Sequence, residues 1–443
     1  MSERTEPLEP PGSYGLPIFG VLFDTVDFLF VSGWQRFFQR RRAKYRSSVF
    51  KTSLFQKTIV LTDHEAISNL FASTPLVQDH GFSWAVPPLP LVGNSTPSIF
   101  KTGYAHDQPK NFYLKLIERR SSKLPSIFEN LFERYAERWN ECGTFDWREE
   151  LERFTVDLVF QWLLDLKVDA DKVRTIYNNI FTDIFWRITR LFPWSAYSKS
   201  LRYYRELIQS IENSVDFQSL SEMALECGLR DQSYIAKQLA FLIGMNSYLG
   251  LQCLFKSIVG ELSIRPDVSR GLLEHVGKAK PGQIWEGSLA AVDLFIMEVL
   301  RLHPPVFFVF GRATKDTTIG SASGVFRIAV GELLMGVIPE AHSNDAIFTN
   351  ASMFDPDRFR SPDQRQHLIW PRGLHDDIVR SNDRTCPGKD VALAIARGFC
   401  VALLTKAAWK MTAPVSWDKH WFNLNVAAPK GDLPVRFTLR VQH

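Results

Sequence analysis

Three stretches carry the residue types and spacing that chemistry needs. The first is Arg384-Thr385-Cys386-Pro387-Gly388-Lys389-Asp390, which leads straight into an apolar, helix-forming run. A thiolate is stable only beside positive charge or a metal, and a helix N-terminus turns backbone N–H groups toward an anion. Gly388 lets a bound group come closer to the backbone than any side chain would permit. On these residues alone, Cys386 is either a metal-ligating thiolate or an inert buried cysteine. The second stretch holds Glu298-x-x-Arg301, inside an apolar helical run that ends at His303-Pro304-Pro305. Three residues apart on a helix, the two side chains share a face and can pair. The prolines end the helix and force an extended exit. Farther on, Phe354-Asp355-Pro356-Asp357-Arg358-Phe359 adds an arginine on a proline-marked turn. The third is Phe241-Leu242-Ile243-Gly244-Met245-Asn246-Ser247-Tyr248-Leu249-Gly250, where one amide interrupts an apolar helix. A buried amide needs partners, so Asn246 is either satisfied within the core or turned toward a ligand.

The elements that must position these residues follow from periodicity. Helical spacing is expected from about Asp27 to Tyr45, followed by a hairpin of Ser48 to Lys51 with Thr58 to Leu61. Helices then dominate from Asp63 to about Leu302, with Ser126 and Asp157 as candidate caps. After Arg312 the pattern shifts to short β-like runs (Val325 to Ile328, Leu333 to Val337). A last helix runs from about Lys389 to Ala407, and strands fall between Asn423 and Val441. The expected class is mainly α with small β-sheets. Residues 1–443 read as a single domain, because no repeat or Gly/Ser-rich linker divides them.

Composition narrows the function. The chain has 443 residues, 45% of them hydrophobic and 23% charged, enough apolar material for a large core. A net charge of +4 argues against a nucleic-acid partner, and Arg40-Arg41-Arg42 reads as a solvated helix face. Five scattered cysteines without C-x-x-C spacing argue against a disulfide framework or zinc site and fit an intracellular, reducing compartment. The acidic, proline-rich start resembles neither a signal nor a transit peptide, and no transmembrane segment is expected. Membrane contact is expected to be peripheral at most, through an aromatic face of Phe28, Trp34, Phe37 and Phe38. The competing reading of that face is a first helix packed on the core.

Taken in order, Glu298, Arg301 and Arg358 resemble the Glu-Arg-Arg core of cytochromes P-450, and the Cys386 loop resembles their heme-binding loop. The resemblance implies the cytochrome P-450 fold, heme b as cofactor and Cys386 as its axial ligand, with Gly388 beneath the porphyrin. Glu298, Arg301 and Arg358 would be structural. Arg384 is suited to a heme propionate. Ordinary members read F-x-x-G-x-x-x-C; here Trp370-Pro371-Arg372-Gly373 precedes Cys386 by a loop about nine residues longer. That spacing resembles the plant-type cytochromes P-450 that rearrange fatty acid hydroperoxides: allene oxide synthases, hydroperoxide lyases, divinyl ether synthases and epoxyalcohol synthases. Pro109-Lys110-Asn111-Phe112-Tyr113-Leu114-Lys115 is similar to their P-K-H-x-x-L-K, implying Lys115 as a propionate contact. Gly311-Arg312-Ala313 matches part of their Y-G-R-A, implying Arg312 as a second one. The helix around Asn246 resembles their F-N-S-F-G-G, with Met245 and Leu249 as departures.

For this family the substrate is a polyunsaturated fatty acid hydroperoxide, and no reductase is needed because the O–O bond arrives already reduced. The chain lacks the acid-Thr pair with which an oxygen-activating member delivers protons. Asn246 is then the catalytic residue that orients the hydroperoxide. Phe82 or Trp84 corresponds to the family's product-setting aromatic, and Phe307 stands where plant allene oxide synthases carry a threonine. A bulkier pocket without that hydroxyl favours return of the hydroxyl to the carbon radical, giving an epoxyalcohol synthase. The alternatives are an allene oxide synthase or a hydroperoxide lyase. A peroxide-using hydroxylase is disfavoured, since no Arg-Pro pair lies between Phe241 and Gly250. A reductase-dependent monooxygenase and a non-catalytic heme-binding protein are the remaining rivals.

Overall fold

Apolar periodicity sets the helices, and one of them is apolar nearly all round. In this computed structural model, residues 6–16, 18–71, 75–79, 81, 97–180, 183, 186–277, 281–370, 373–417, 429 and 431–440 are described. The helices that matter here are α1 (Phe19–Val26), α2 (Gly33–Tyr45), α3 (Tyr104–Ser121), α4 (Leu124–Cys142) and α5 (Trp147–Leu164). They are followed by α6 (Gln232–Ile264), α7 (Ala290–Leu302) and α8 (Lys389–Lys406). By length and composition α6 could cross a bilayer, but 78% of its apolar window is buried within the protein, which makes it the core helix. Aromatic contacts tie the core together. Phe255 of α6 stacks on Phe399 of α8 at 4.3 Å, and Phe154 of α5 lies 5.9 Å from Phe255 and 5.7 Å from Phe128 of α4. Such ring pairs add roughly 0.5–1.5 kcal/mol each beyond their burial.

A five-stranded sheet flanks this core. Its strands are β1 (Val49–Thr52), β2 (Thr58–Leu61), β3 (Leu76–Gln78), β4 (Phe308–Ala313) and β5 (Leu333–Val337), in the order β1-β2-β5-β4-β3. Only β2 and β5 are parallel; the other pairs are antiparallel. A short antiparallel hairpin, β6 (Ile369–Trp370) with β7 (Gly373–Leu374), precedes the cysteine loop. The mainly α class, the early hairpin and the final helix agree with the sequence reading.

Two details differ from it. Neither Ser126 nor Asp157 caps a helix. Both lie within helices, α4 being started by Pro125 in its first turn and α5 by Asp146, whose carboxylate accepts the Arg148 N–H at 2.8 Å. The strand Thr144–Asp146 was not expected either. Its partner is Pro434–Leu439, far along the chain, so no local pattern announces it. The aromatic face of Phe28, Trp34, Phe37 and Phe38 is wholly buried, as the core-packing alternative required. Trp34 meets Phe307 at 5.0 Å and Phe38 meets Phe308 at 6.0 Å.

Candidate active site

The cysteine loop is held from both sides. On one side, Glu298 and Arg301 sit a turn apart on α7 with fully buried side chains, joined at 2.7 and 2.8 Å in a bidentate pair. Arg301 spends its remaining donors on the carbonyls of His342 and Ala351, each at 2.8 Å. Arg358 reaches Glu298 at 3.2 Å, and the Asp355 N–H donates to the same carboxylate at 2.8 Å. A buried ion pair of this kind is tolerated only when every donor and acceptor is satisfied, and here they are. His342 extends the network: its Nε2 accepts the Ile369 N–H at 2.9 Å, which fixes the start of β6.

From β7 onward the expanded loop is stitched by its own acids. Asp377 accepts the Leu374 N–H at 2.6 Å, and Asp383 accepts the N–H groups of Arg380 and Thr385 at 2.7 and 2.9 Å. A Cβ at Gly373 would stand 2.9 Å from the Thr385 hydroxyl, so any larger residue there would have to displace that side chain. The loop delivers Cys386 to a cavity of about 360 Å³, walled also by α3, α6, β4 and the start of α8. Burial pushes the Cys386 thiol above its ordinary value, while the Trp370 indole N–H, the Gly388 backbone N–H, Lys110 and Lys389 pull it back. In the protein alone the sulfur is therefore a thiol with thiolate-stabilising donors already aimed at it, a donor set suited to a metal.

Across the cavity, α6 is not α-helical throughout. Leu242–Tyr248 forms a π-helical turn, and Asn246 sits on it. The inserted residue of a π-turn swells the helix outward, a feature common at functional sites. Asn246 faces the cavity, and among the described residues its carboxamide has no protein partner. Of the two possibilities open for this amide, the satisfied core residue is the one the geometry rejects. Tyr177 fills the space beside Gly244, which therefore does not line the cavity, whereas Gly250 does and has nothing within 4 Å of where a Cβ would stand.

The cationic end of the cavity departs from expectation. Lys115 does not reach it. His106, Lys110, Tyr113 and Ile117 recur at helical spacing along the cavity face of α3, and Lys115 lies on the opposite face, paired with Glu226 at 3.3 Å. Lys110, the second residue of the same motif, is the lysine that lines the cavity, bonded to Asp383. The helical repeat counted back from the motif could have found it. Arg312 does not line the cavity either. Asp79, which does, holds it at 2.8 Å, and its other end donates to the Gly331 carbonyl. Phe307 turns away as well, because an extended chain alternates its side chains: Val306 and Phe308 face the cavity and Phe307 faces Trp34. Phe82 and Trp84 lie outside the described residues.

Arg384 and Gly388 line the cavity as expected. Arg384 is 7% exposed and donates to the Lys101 carbonyl at 2.8 Å, but among the described residues no carboxylate pairs with it. A buried guanidinium lacking its counter-anion, beside a cavity that also holds a thiol, fits the anionic edge of a porphyrin. Above Gly388 the nearest atom to a would-be Cβ is 3.8 Å away, so the protein leaves that space open. These residues fit heme: Cys386 would hold the iron, Gly388 leaves room for the ring, and Arg384 and Lys110 would meet its anionic groups.

Comparison with known proteins agrees. Residues 286–419 match the family Cytochrome P450. A retinoic acid-bound cyanobacterial member, CYP120A1, superposes with a TM-score of 0.77 at 20% identity, covering 98% of this chain and all of that one. A second structure, Cytochrome P450SP alpha, gives 0.73 at 17% identity, covering 94% and 99%. The chain has the cytochrome P450 fold, and that fold together with the family match implies heme as its cofactor. Within that class it is similar to plant enzymes of one branch. Allene oxide synthase 3 from Solanum lycopersicum is 25% identical, covering 88% of this chain and 87% of its own length. Divinyl ether synthase CYP74D1 from Solanum lycopersicum is 24% identical over 88% and 90% of the two chains, and the chloroplastic fatty acid hydroperoxide lyase of that plant 25% over 87% and 90%.

Proposed function

We propose that this protein rearranges polyunsaturated fatty acid hydroperoxides without O2, NADPH or a reductase. The observation that carries the reading is the pairing of walls: a thiol with thiolate-stabilising groups beside it on one side, and on the other a carboxamide, Asn246, with no partner among the described residues. Monooxygenation requires protons delivered by a carboxylate and hydroxyl. Among the described residues, α6 brings no Asp, Glu or Thr to the cavity. A hydroperoxide removes that requirement, since its oxygen is already reduced. When bound, heme supplies the one-electron chemistry that splits the O–O bond. Asn246 donates its amide N–H to the peroxide and fixes its approach, while Met245, Leu249 and Phe308 give the acyl chain an apolar wall.

The product we favour is an epoxyalcohol, formed when the hydroxyl returns to the carbon radical after ring closure. Dehydration to an allene oxide must discard a proton; α6 brings no carboxylate or imidazole to the cavity, and the described ones elsewhere in its lining, Asp79 and His106, are engaged with Arg312 and Asp107. Phe307 does not shape this pocket, because its ring packs on Trp34. The test is product analysis after mixing heme-loaded protein with linoleate and linolenate hydroperoxides in the absence of reductant. Epoxyalcohols support the proposal. Ketols derived from an allene oxide, or short aldehydes, move the assignment to the synthase or lyase named among its relatives. No consumption overturns it entirely.

A further inference from the structure

A π-turn inside a long α-helix needs a cause, and in α6 it is not proline, since residues 232–264 contain none. The change of register is explicit. The Leu242 N–H donates to the Gln238 carbonyl, four residues back, whereas the Leu249 N–H donates to the Gly244 carbonyl, five back. That one extra residue decides what α6 shows to the cavity. Phe241 and Gly250 are nine residues apart, about two and a half turns of a straight α-helix, which would set them on opposite faces. Both line the cavity, with Asn246 between them.

One foreign side chain stands at the point where the register slips. Tyr177, on the helix Ala170–Ile180, is buried against α6, and its hydroxyl donates to the Ala240 carbonyl at 2.5 Å. A Cβ on Gly244 would overlap the ring and hydroxyl of Tyr177, so the phenol occupies the space over that glycine. In an unbroken α-helix the Ala240 carbonyl and the Gly244 N–H close one turn. The phenol lies against both ends of that turn, and a side chain inserted into the i→i−4 ladder distorts a helix there. Burial pushes the phenol far above its ordinary value, which keeps it a donor at any working pH. Nor can it easily retreat. Tyr248, wholly buried, lies 6.0 Å from its ring. One turn before Tyr177, Arg174 pairs with Glu152 of α5 at 2.8 Å, and the same carboxylate holds Lys256 of α6 at 2.6 Å. This buried triad binds the helix that carries the phenol to the helix it distorts.

We propose that Tyr177 is a positioning residue: its side chain wedges the π-turn of α6 open and so aims Asn246 across the cavity toward the Cys386 wall. The aim of Asn246 follows from this geometry alone; only the turnover expected below rests on the hydroperoxide reading.

The experiment records the infrared C–O stretch of the carbon monoxide adduct of the full, heme-loaded, reduced chain, because a hydrogen-bond donor facing the ligand moves that band. Steady-state kinetics with a linoleate hydroperoxide accompany it. Y177L removes the wedge and is expected to move the band to where N246A puts it. Y177L/N246A should move it no further, since both substitutions act on one contact. In Y177L, kcat is expected to fall about ten-fold or more while KM stays within about two-fold. A merely structural role would lower the melting temperature and leave the band of the folded protein in place. Y177F keeps the ring and loses the bond to the Ala240 carbonyl; it is expected to shift the band part of the way, and it carries the test if Y177L does not take up heme. The proposal is overturned if Y177L keeps the wild-type band, or if Y177F does so where Y177L does not fold. It is also overturned if the shifts of Y177L and N246A add, or if N246A does not move the band. A band that responds as expected in a protein that consumes no hydroperoxide upholds the wedge and overturns the hydroperoxide reading instead.

Discussion

The Tyr113 hydroxyl lies 2.5 Å from the Ser247 hydroxyl, joining α3 to the π-helical turn of α6 one residue past Asn246. Burial pushes the Tyr113 phenol far above its ordinary value, so it stays a neutral hydrogen-bonding group at any working pH. A π-turn is a strained insertion, and this bond ties it to the helix that carries Lys110. Tyr113→Phe deletes the bond and leaves the Ser247 hydroxyl inside the cavity. We expect heme content to hold, stability to fall by about 1 kcal/mol, and kcat/KM for hydroperoxide to fall about ten-fold. Comparing the variant's melting curve with its kinetics separates a positioning role from a merely structural one. Equal turnover would mean that the turn orients Asn246 unaided.

The Trp370 indole acts on the sulfur. The indole N–H and the Gly388 N–H both favour the Cys386 thiolate. Hydrogen bonds to a ligating thiolate withdraw electron density from the metal. Trp370→Phe keeps an aromatic ring at the end of β6 and removes the donor. The sulfur becomes more basic, the ferric state gains relative to the ferrous, and the reduction potential moves down. A spectroelectrochemical titration of the two proteins reads the shift directly; a potential that stays in place or rises contradicts the hydrogen bond.

Much of this was legible in the sequence because the signals are local. Glu298 and Arg301 are one helical turn apart, the double proline marks the exit from α7, and glycine-to-cysteine spacing measures the loop without reference to any fold. Cys386, Arg384, Gly388 and Asn246 all line one cavity for that reason. The errors were of direction. Matching a motif fixes which residues are present but not which face they occupy: it pointed to Lys115, whereas Lys110, five residues earlier and on the other side of the helix, lines the cavity. Phe307 fell to the same alternation in an extended chain. His342 was missed entirely: its partners Arg301 and Ile369 are brought together only by tertiary folding.

That histidine makes stability depend on pH. Burial pushes the His342 imidazole down to about 3, with the nearby Arg301 guanidinium adding to the effect. Its Nε2 accepts the Ile369 N–H, so it cannot also carry a proton there. In the unfolded chain the same group takes up a proton below about 6.5. Unfolding is therefore favoured progressively as pH falls from about 6.5 toward the folded value, by up to about 1.4 kcal/mol per pH unit from this group. His342→Gln retains an acceptor for Ile369 that does not titrate. Urea midpoints measured at pH 7 and pH 4.5 should differ less in the variant than in the wild type, even if the variant is weaker at both.

The Glu298–Arg301–Arg358 network should fail all at once. Because the Glu298 and Arg301 side chains are fully buried, removing either partner strands a charge that water cannot reach, at a cost of about 3–5 kcal/mol. Glu298→Ala frees Arg301, Arg358 and the Asp355 N–H together. We expect little heme-loaded protein at 37 °C and faster heme loss at lower temperature, read as decay of the Soret band in the presence of an apo-globin acceptor. Arg360→Ala, which removes a mostly exposed pair with Asp357, is the matched control and should change neither.

Asn246 carries the sharpest prediction. Asn246 is open to the cavity and has no partner among the described residues, so Asn246→Ala removes no protein contact seen there and should leave the protein about equally stable. The catalytic effect should be large. Losing one preorganised donor costs roughly 10²–10³-fold in turnover where charge develops at an oxygen. The expected combination is intact heme, an unchanged melting temperature, and kcat for a linoleate hydroperoxide reduced by roughly two orders of magnitude. Asn246→Gln, with the same donor one methylene farther out, should recover part of the loss. A stable variant with wild-type turnover would remove Asn246 from the chemistry, and an unstable one would return it to the core.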